Sequence, residues 1–387
     1  MLKQKMIKTY KVKLYHSKKN KNLSRTIWLC SRAYNHSIAL HKRYYKLTGK
    51  HLNLYAIQKH FTKLKKLPKY AWLKEIPSQA LQDVTERIEK GYKLFFRNLK
   101  QGIRTSPPSF CKARKYKSFT LKQSGWKLEG RILTIGKRTY KLVDNQLPQG
   151  KIKTVTIKRD SLGAYWACFS CDVGNIEQTK PMTGKIAGFD FGLKTFLTIH
   201  DGSEIFGIES PLFFKQSTRK IAKLDRIVSR KVKGSNGWKK ALYNANREKK
   251  RVVDKRKDFF FKLAHELTDQ YDVLCFESLN IKAMKKLWGR KISDLAFSTF
   301  LLILEYVAKC KGCLVVKIDR FYPSSKTCHC CKYKIDKLEL NERSWRCPNC
   351  QVVNDRDGNA SMNIRSEGIQ TIGLGNVRRT LESAIAV

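Results

Sequence analysis

The sequence predicts a chain of mixed α/β and all-β domains: an α/β domain carrying an inserted cysteine ribbon, preceded by a barrel-like β domain with a helical insertion. Three observations predict it. Strand-like and helix-like runs alternate through the second half in the order βββαβαβ, four cysteines fall as two C-x2-C pairs, and short strand-like runs crowd the middle of the chain.

The elements follow in order. MIKTYKVKLY alternates, with Tyr10, Val12 and Leu14 on one face and Lys11 and Lys13 on the other, as a strand does. Residues 17–101 read as helices. In SQALQDVTERIEKGYKLFFRNLK the residues Leu81, Val84, Ile88 and Phe95 form an apolar face. Lys90, Lys93, Arg97 and Lys100 recur at three- and four-residue steps roughly opposite, as a solvated face or a stripe turned to phosphate. RTSPPSF ends the helix at Pro107 and Pro108. KSFTLK, GWKL, RILTIG, KIKTVTIKR and AYWACFSCDV then read as short strands of a small barrel or sandwich. The N-terminal strand can join it, so that 1–16 and 102–176 make one β domain and 17–101 its helical insertion.

From 185 the pattern changes. KIAGFDFG, FLTIH and SEIFGIE are three strand candidates, followed by a very basic helical region over about 212–268. VLCFE is a buried-looking strand, DLAFSTFLLILEYVAKC a helix and LVVKID another strand, with ASMNIRS helical after the cysteine pairs. This is the element order of a ribonuclease-H-type fold, assigned to 177–327 and 351–370. It leaves 328–350 as a ribbon and 371–387 as a tail.

Charge narrows the function. The 387 residues hold 80 Lys plus Arg against 31 Asp plus Glu, a formal net charge of +49. Such a chain attracts polyanions, chiefly nucleic acid or anionic membrane. No run approaches the ~18 apolar residues of a membrane span, and MLKQKMIKTYKVKLY lacks a signal-peptide core. A cytoplasmic, nucleoid-associated protein without a membrane partner is expected. Cys30, Cys111, Cys168, Cys171 and Cys275 read as buried thiols, and Cys310 with Cys313 as a structural pair lacking a second half.

Cys328, Cys331, Cys347 and Cys350 form C-x2-C-x15-C-x2-C, the spacing of a four-thiolate zinc ribbon. Cys330 stands one residue from a ligand and reads as a bystander. Three acids are placed where they cost most: Asp190 between two phenylalanines, Glu277 ending an apolar strand, and Asp357 opening the last helix. Each could be paired with a lysine. Brought together at one end of a sheet, they could instead hold two Mg²⁺ ions for phosphodiester hydrolysis.

GFDFGLKTF, CFESLNIKAM, SSKTC followed by a second cysteine, CPNC and DRDGNASMNI together resemble the TnpB proteins of insertion sequences, relatives of type V CRISPR effectors. The resemblance is specific over about 185–365 and weaker before it. It implies a RuvC-like nuclease domain with triad Asp190, Glu277 and Asp357, a structural zinc on the four cysteines, and a wedge-like β domain ahead. It further implies a guide RNA from the transposon end and cleavage of double-stranded target DNA beside a short adjacent motif, by a protein that is monomeric in the ribonucleoprotein. The R-D-x-N-A pattern fits Arg356 to Ala360, so Asp357 rather than Asp355 is the third acid, and Asp355 is expected to cap the helix. Ser278, Lys332 and Ser361 depart from the family pattern, Lys332 standing where glycine is usual.

Arg247, Arg251 and Lys255, at four-residue intervals, are expected to hold the guide–target duplex through its backbone, with Val253, Phe260, Leu263 and Leu267 facing inward. Gln79, Gln82 and Thr120 are the candidates for reading base edges. The alternatives are an unguided nuclease of the same fold and a regulator of transposition that binds without cutting.

Overall fold

The computed structural model describes residues 5–143, 147–175, 183–279, 289, 293–339 and 341–373. The expected tail, 371–387, lies almost wholly outside them. The chain forms two compact units, Lys5–Gly174 and Asn175–Val387.

In the first unit, β1 (Lys5–Lys13) is followed by α1 (Asn20–Thr48), α2 (Leu54–Leu64) and α3 (Ser78–Lys100). The strands β2 (Ser118–Leu121), β3 (Trp126–Glu129), β4 (Ile132–Ile135), β5 (Arg138–Lys141), β6 (Lys151–Arg159) and β7 (Tyr165–Asn175) follow. They form a four-stranded sheet ordered β1-β7-β6-β2 and a three-stranded sheet β3-β4-β5. The N-terminal strand therefore pairs beyond the helices that follow it. RTYK, which carries no alternating apolar signal, is a strand because β4 pairs along its whole length. Helix α3 is tied to β2 by buried Asp83, whose Oδ2 accepts from Thr120 N at 3.0 Å and meets Arg87 Nη2 at 2.8 Å. Burying that acid is tolerated because a cation and a backbone N–H both compensate it.

The second unit is built on β8 (Ile186–Phe191), β9 (Thr195–His200), β10 (Ile205–Glu209), β11 (Val273–Glu277) and β12 (Leu314–Ile318). Their order is β10-β9-β8-β11-β12. The first three strands run antiparallel, and β8, β11 and β12 run parallel. Helices α4 (Phe213–Ser229) and α5 (Asn236–Gln270) lie between β10 and β11, and α6 (Phe297–Lys311) between β11 and β12. After the short strands β13 (Ser344–Arg346) and β14 (Val353–Asp355), the chain ends its described part in α7 (Arg356–Ile372).

Strand alternation sorts the side chains into two cores. Phe189, Phe191, Leu274 and Phe276 pack with Phe260, Phe297 and Phe300 of α5 and α6. Ile186, Val273, Cys275, Val316 and Ile318 pack with Ile364 of α7 on the other face. The two α5 positions adjoining the basic stripe exchange roles against expectation: Val252 is buried and Val253 is 38 % exposed. Both fit a 3.6-residue period within one step, so neighbouring valines leave the inward one undecided in sequence.

Candidate active site and cysteine ribbon

Two candidate acids stand side by side on parallel strands. The register pairs Cys275 with Gly188 and Phe276 with Phe189, and the next residues along are Glu277 and Asp190. Both belong to the strand face that α7 covers, because successive side chains alternate. Asp357 is the second residue of α7. Asp355 is the N-cap, its Oδ2 accepting from Gly358 N at 2.7 Å, as the sequence suggested.

Glycines let α7 approach the sheet. A Cβ on Gly188 would lie 2.2 Å from Ser361 O, and one on Gly368 would lie 2.2 Å from Cys275 Sγ. Arg365 Nε donates to Ile186 O at 2.9 Å, pinning the helix along β8. Ala360, Ser361 and Asn359 are buried.

Positive charge only partly offsets the acids at this edge. Burial pushes the Asp190 carboxyl up, Asp357 and Glu277 push it further, and the Phe191 N–H and Arg356 only partly reverse this, leaving it at about 8. Burial raises Glu277 to about 6. Such a donor set of hard oxygens, crowded and short of counter-charge, suits divalent cations. Arg343 pairs with Asp357, its Nη1 3.3 Å from Oδ2.

The four ribbon sulfurs lie within 4.8 Å of one another, the one such metal-ligand group among the described residues. Cys328 and Cys350 are 3.6 Å apart and Cys331 and Cys347 are 3.5 Å apart. Tetrahedral zinc with sulfurs at ~2.3 Å needs edges of about 3.8 Å, so the arrangement fits the ion. The two knuckles repeat one design. Lys332 N bonds Cys328 O and Gln351 N bonds Cys347 O, each at 2.9 Å, while Cys328 N reaches Tyr333 O and Cys347 N reaches Val352 O. Both Lys332 (φ 60°) and Gln351 (φ 62°) are left-handed. Asn349 and the Tyr333 N–H lower the Cys331 thiol to about 6, favouring the thiolate that metal requires. At Cys350 the Val352 N–H lowers the thiol, but burial and the three neighbouring sulfurs together outweigh it and raise the group to about 12. Cys330 is exposed and outside the cluster.

The ribbon is anchored to α7 by two amides one turn apart. Asn359 and Asn363 donate to Thr327 O at 2.8 and 2.6 Å and to Ser324 O at 3.3 and 2.9 Å. Asn359 Oδ1 also accepts from His329 N at 2.9 Å. Asn363, Gly188, Gly368, Arg343 and Arg365 escaped the sequence reading. A glycine inside IAGFDFG and the N-x3-N spacing were the available signals.

The proposed nucleic-acid residues divide into two sets. Arg247, Arg251 and Lys255 are all exposed on α5, and Gln82, Lys90, Lys93 and Arg97 are exposed on α3. Lys93 stands 3.9 Å from Glu89. Gln79 and Thr120 instead serve the fold. Gln79 Oε1 accepts from Lys122 N at 2.6 Å and its Nε2 donates to Ser124 Oγ at 2.7 Å. Thr120 Oγ1 lies 3.0 Å from Thr156 Oγ1 and accepts from Arg87 Nη2 at 3.2 Å.

Comparison with known proteins bears on the family and the fold. The family described as a probable transposase, OrfB_IS605, matches residues 168–287, and the one described as Cas12f1-like, TNB domain matches 297–364. A candidate RNA-guided DNA endonuclease of Streptomyces pristinaespiralis is 31 % identical over 369 residues, covering 94 % of this chain and 89 % of the relative. InsQ of Escherichia coli K12, likewise named a candidate RNA-guided DNA endonuclease, is 24 % identical over 370 residues, covering 90 % and 89 %. Among solved structures, Cas12f1 in its complex with guide RNA and target DNA shares the fold, with a TM-score of 0.57 at 14 % identity over 93 % of this chain and 99 % of that one. No helix among the described residues is long and apolar enough to cross a membrane.

Proposed function

The chain belongs to the TnpB family, and from that membership we propose that it is an RNA-guided DNA endonuclease whose catalytic carboxylates are Asp190, Glu277 and Asp357. The observation that carries this reading is the adjacency of Asp190 and Glu277 at the ends of paired parallel strands, with Asp357 close enough to raise Asp190. The strand order β10-β9-β8-β11-β12 supports a ribonuclease-H-like, RuvC-like domain over 177–327 and 351–370. The ribbon, 328–350, holds structural zinc on its four cysteines. The β domain of 1–16 and 102–176 is wedge-like, and 17–101 is its recognition insertion.

In this reading Asp190, Glu277 and Asp357 would hold two Mg²⁺ ions, which when bound lower the pKa of a water and offset charge on the leaving oxygen. Hydrolysis adds a water to phosphorus and breaks the bond to the 3′ oxygen, which takes up a proton, leaving a 5′ phosphate and a 3′ hydroxyl. The β8–β11 ladder holds Asp190 and Glu277, and the cap on α7 holds the turn that carries Asp357, which limits how far the carboxylates must move to share the ions. A guide RNA from the transposon end pairs with one strand of double-stranded target DNA beside a short motif, and the protein grips the hybrid by its backbone. Arg247, Arg251 and Lys255 supply part of that grip, and Lys90, Lys93 and Arg97 another. Gln82 is the better placed candidate for base contact, since Gln79 and Thr120 spend their polar atoms on the fold. One protein copy per ribonucleoprotein is proposed.

The test is direct. The purified protein should carry a discrete RNA, and changing that RNA's targeting end should redirect Mg²⁺-dependent cleavage. Asp190→Ala should retain the RNA and DNA binding yet lose cutting. Cleavage that persists in Asp190→Ala refutes the assigned centre, and cleavage indifferent to RNA sequence refutes guidance.

A further inference from the structure

We propose that Arg343 is a positioning residue of the carboxylate centre: it holds Asp357 charge-compensated until a divalent cation takes over, so that ribbon and cation compete for one carboxylate. The inference rests on the reading of Asp190, Glu277 and Asp357 as a cation site.

Arg343 Nη1 lies 3.4 Å from Asp357 Oδ1 and 3.3 Å from Oδ2, reaching both oxygens from one nitrogen. Its backbone is fixed where it needs to be. Arg343 O accepts from Arg356 N at 2.8 Å, and the next residue, Ser344, pairs with Asp355. Arg356 Nη1 in turn donates to Glu339 O at 2.7 Å, and Glu342 Oε2 accepts from Glu339 N at 2.8 Å, closing the turn that presents Arg343. The guanidinium thus comes from a hydrogen-bonded backbone whose cross-ladder partner, Arg356, directly precedes its target.

The pair is built to be displaced. The Arg343 side chain is 54 % exposed, so losing Asp357 returns it to water at little cost. Asp357 is 29 % exposed and stands near enough to Asp190 to act on its charge, so it gains more from a bound dication than from one arm's-length guanidinium. Arg343 arises from the ribbon and Asp357 from the helix that covers the sheet. The ribbon therefore has a charged hold on the centre besides its two amide anchors.

The experiment measures Mn²⁺ binding to the full-length protein by electron paramagnetic resonance, with zinc content determined on every sample. Loss of Mn²⁺ binding in Asp190→Ala identifies the site. Retained binding there would fail the carboxylate reading and leave nothing for Arg343 to compete with. Arg343→Gln should bind Mn²⁺ about two- to fivefold more tightly than wild type, the range expected for losing an ion pair of this exposure. Arg343→Lys should fall between them. Unchanged or weaker binding in Arg343→Gln with zinc retained overturns the proposal. If Arg343→Gln loses zinc, Arg343→Lys decides, and affinity no greater than wild type overturns it.

Discussion

The backbone of Gly188 and the carbonyl of Ser361 touch so closely that a Cβ on the glycine would stand 2.2 Å from that oxygen, and 2.6 Å from Arg365 N. Neither neighbour is a flexible side-chain end. Because Gly188 lies two residues before Asp190, and Ser361 four after Asp357, this contact sets how near the two acids come.

Gly188→Ala should therefore cost about 2–3 kcal/mol of stability, at the upper end for overpacking, because the helix as a whole must move. Denaturant unfolding of the RNA-free protein measures it. A loss below ~0.5 kcal/mol would show that α7 is free to shift.

Metal content provides a second check. One zinc per chain is expected by elemental analysis, falling to none in Cys347→Ser and staying at one in Cys330→Ser. Binding energy at such a site is on the order of 10–16 kcal/mol, so the ribbon should become protease-sensitive when chelated. Zinc retained in Cys347→Ser would unseat the assigned ligand set.

Lys332 holds φ at 60° on a knuckle where the left-handed conformation favours glycine. Lys332→Gly should stabilise the ribbon by about 1 kcal/mol, the strain of a side chain in that region. The Lys332 Nζ–Asn363 Oδ1 contact it removes is long, 3.5 Å, and offsets little of this. A lower zinc-release temperature in Lys332→Gly would contradict the strain argument.

His41 gives the first unit an acid limit. Burial, then His51, lower its pKa to about 4, with Glu89 opposing, and it stacks on Tyr92 at 4.7 Å. Between its unfolded value near 6.5 and about 4, the unfolded chain binds the proton and the folded one does not. Stability from this group is present above pH 6.5 and is lost as pH falls toward 4, by on the order of 2–3 kcal/mol. His41→Phe keeps the stack and should flatten that limb of the stability–pH curve. An unaltered slope would place the acid sensitivity elsewhere.

Sequence carried the parts of this structure that repeat or that cost energy. The strand alternation of KIAGFDFG, the two cysteine pairs and the three expensively placed acids were all legible as local pattern, and together they mark a candidate site. What escaped was decided by partners distant in the chain. RTYK is a strand only because β4 lies beside it, and Arg343 matters only because β13 lies beside β14. Gln79 looked available for base reading, yet its amide closes the 122–124 turn, a use no local pattern announces. The choice between Val252 and Val253 was a matter of helix phase, which tertiary packing resolves.

The side-chain N–H groups of Asn359 and Asn363 grasp only main-chain oxygens, at Ser324 and Thr327, and ask nothing of the residues there beyond a carbonyl pointing the right way. The stretch entering the first knuckle can thus vary its side chains without rewriting the helix that receives it, while the finger beyond must keep the β13 pairing and the Arg343 that meets Asp357. Tolerance to substitution is therefore uneven along the ribbon, loose where only carbonyls are held and strict where a side chain reaches the helix.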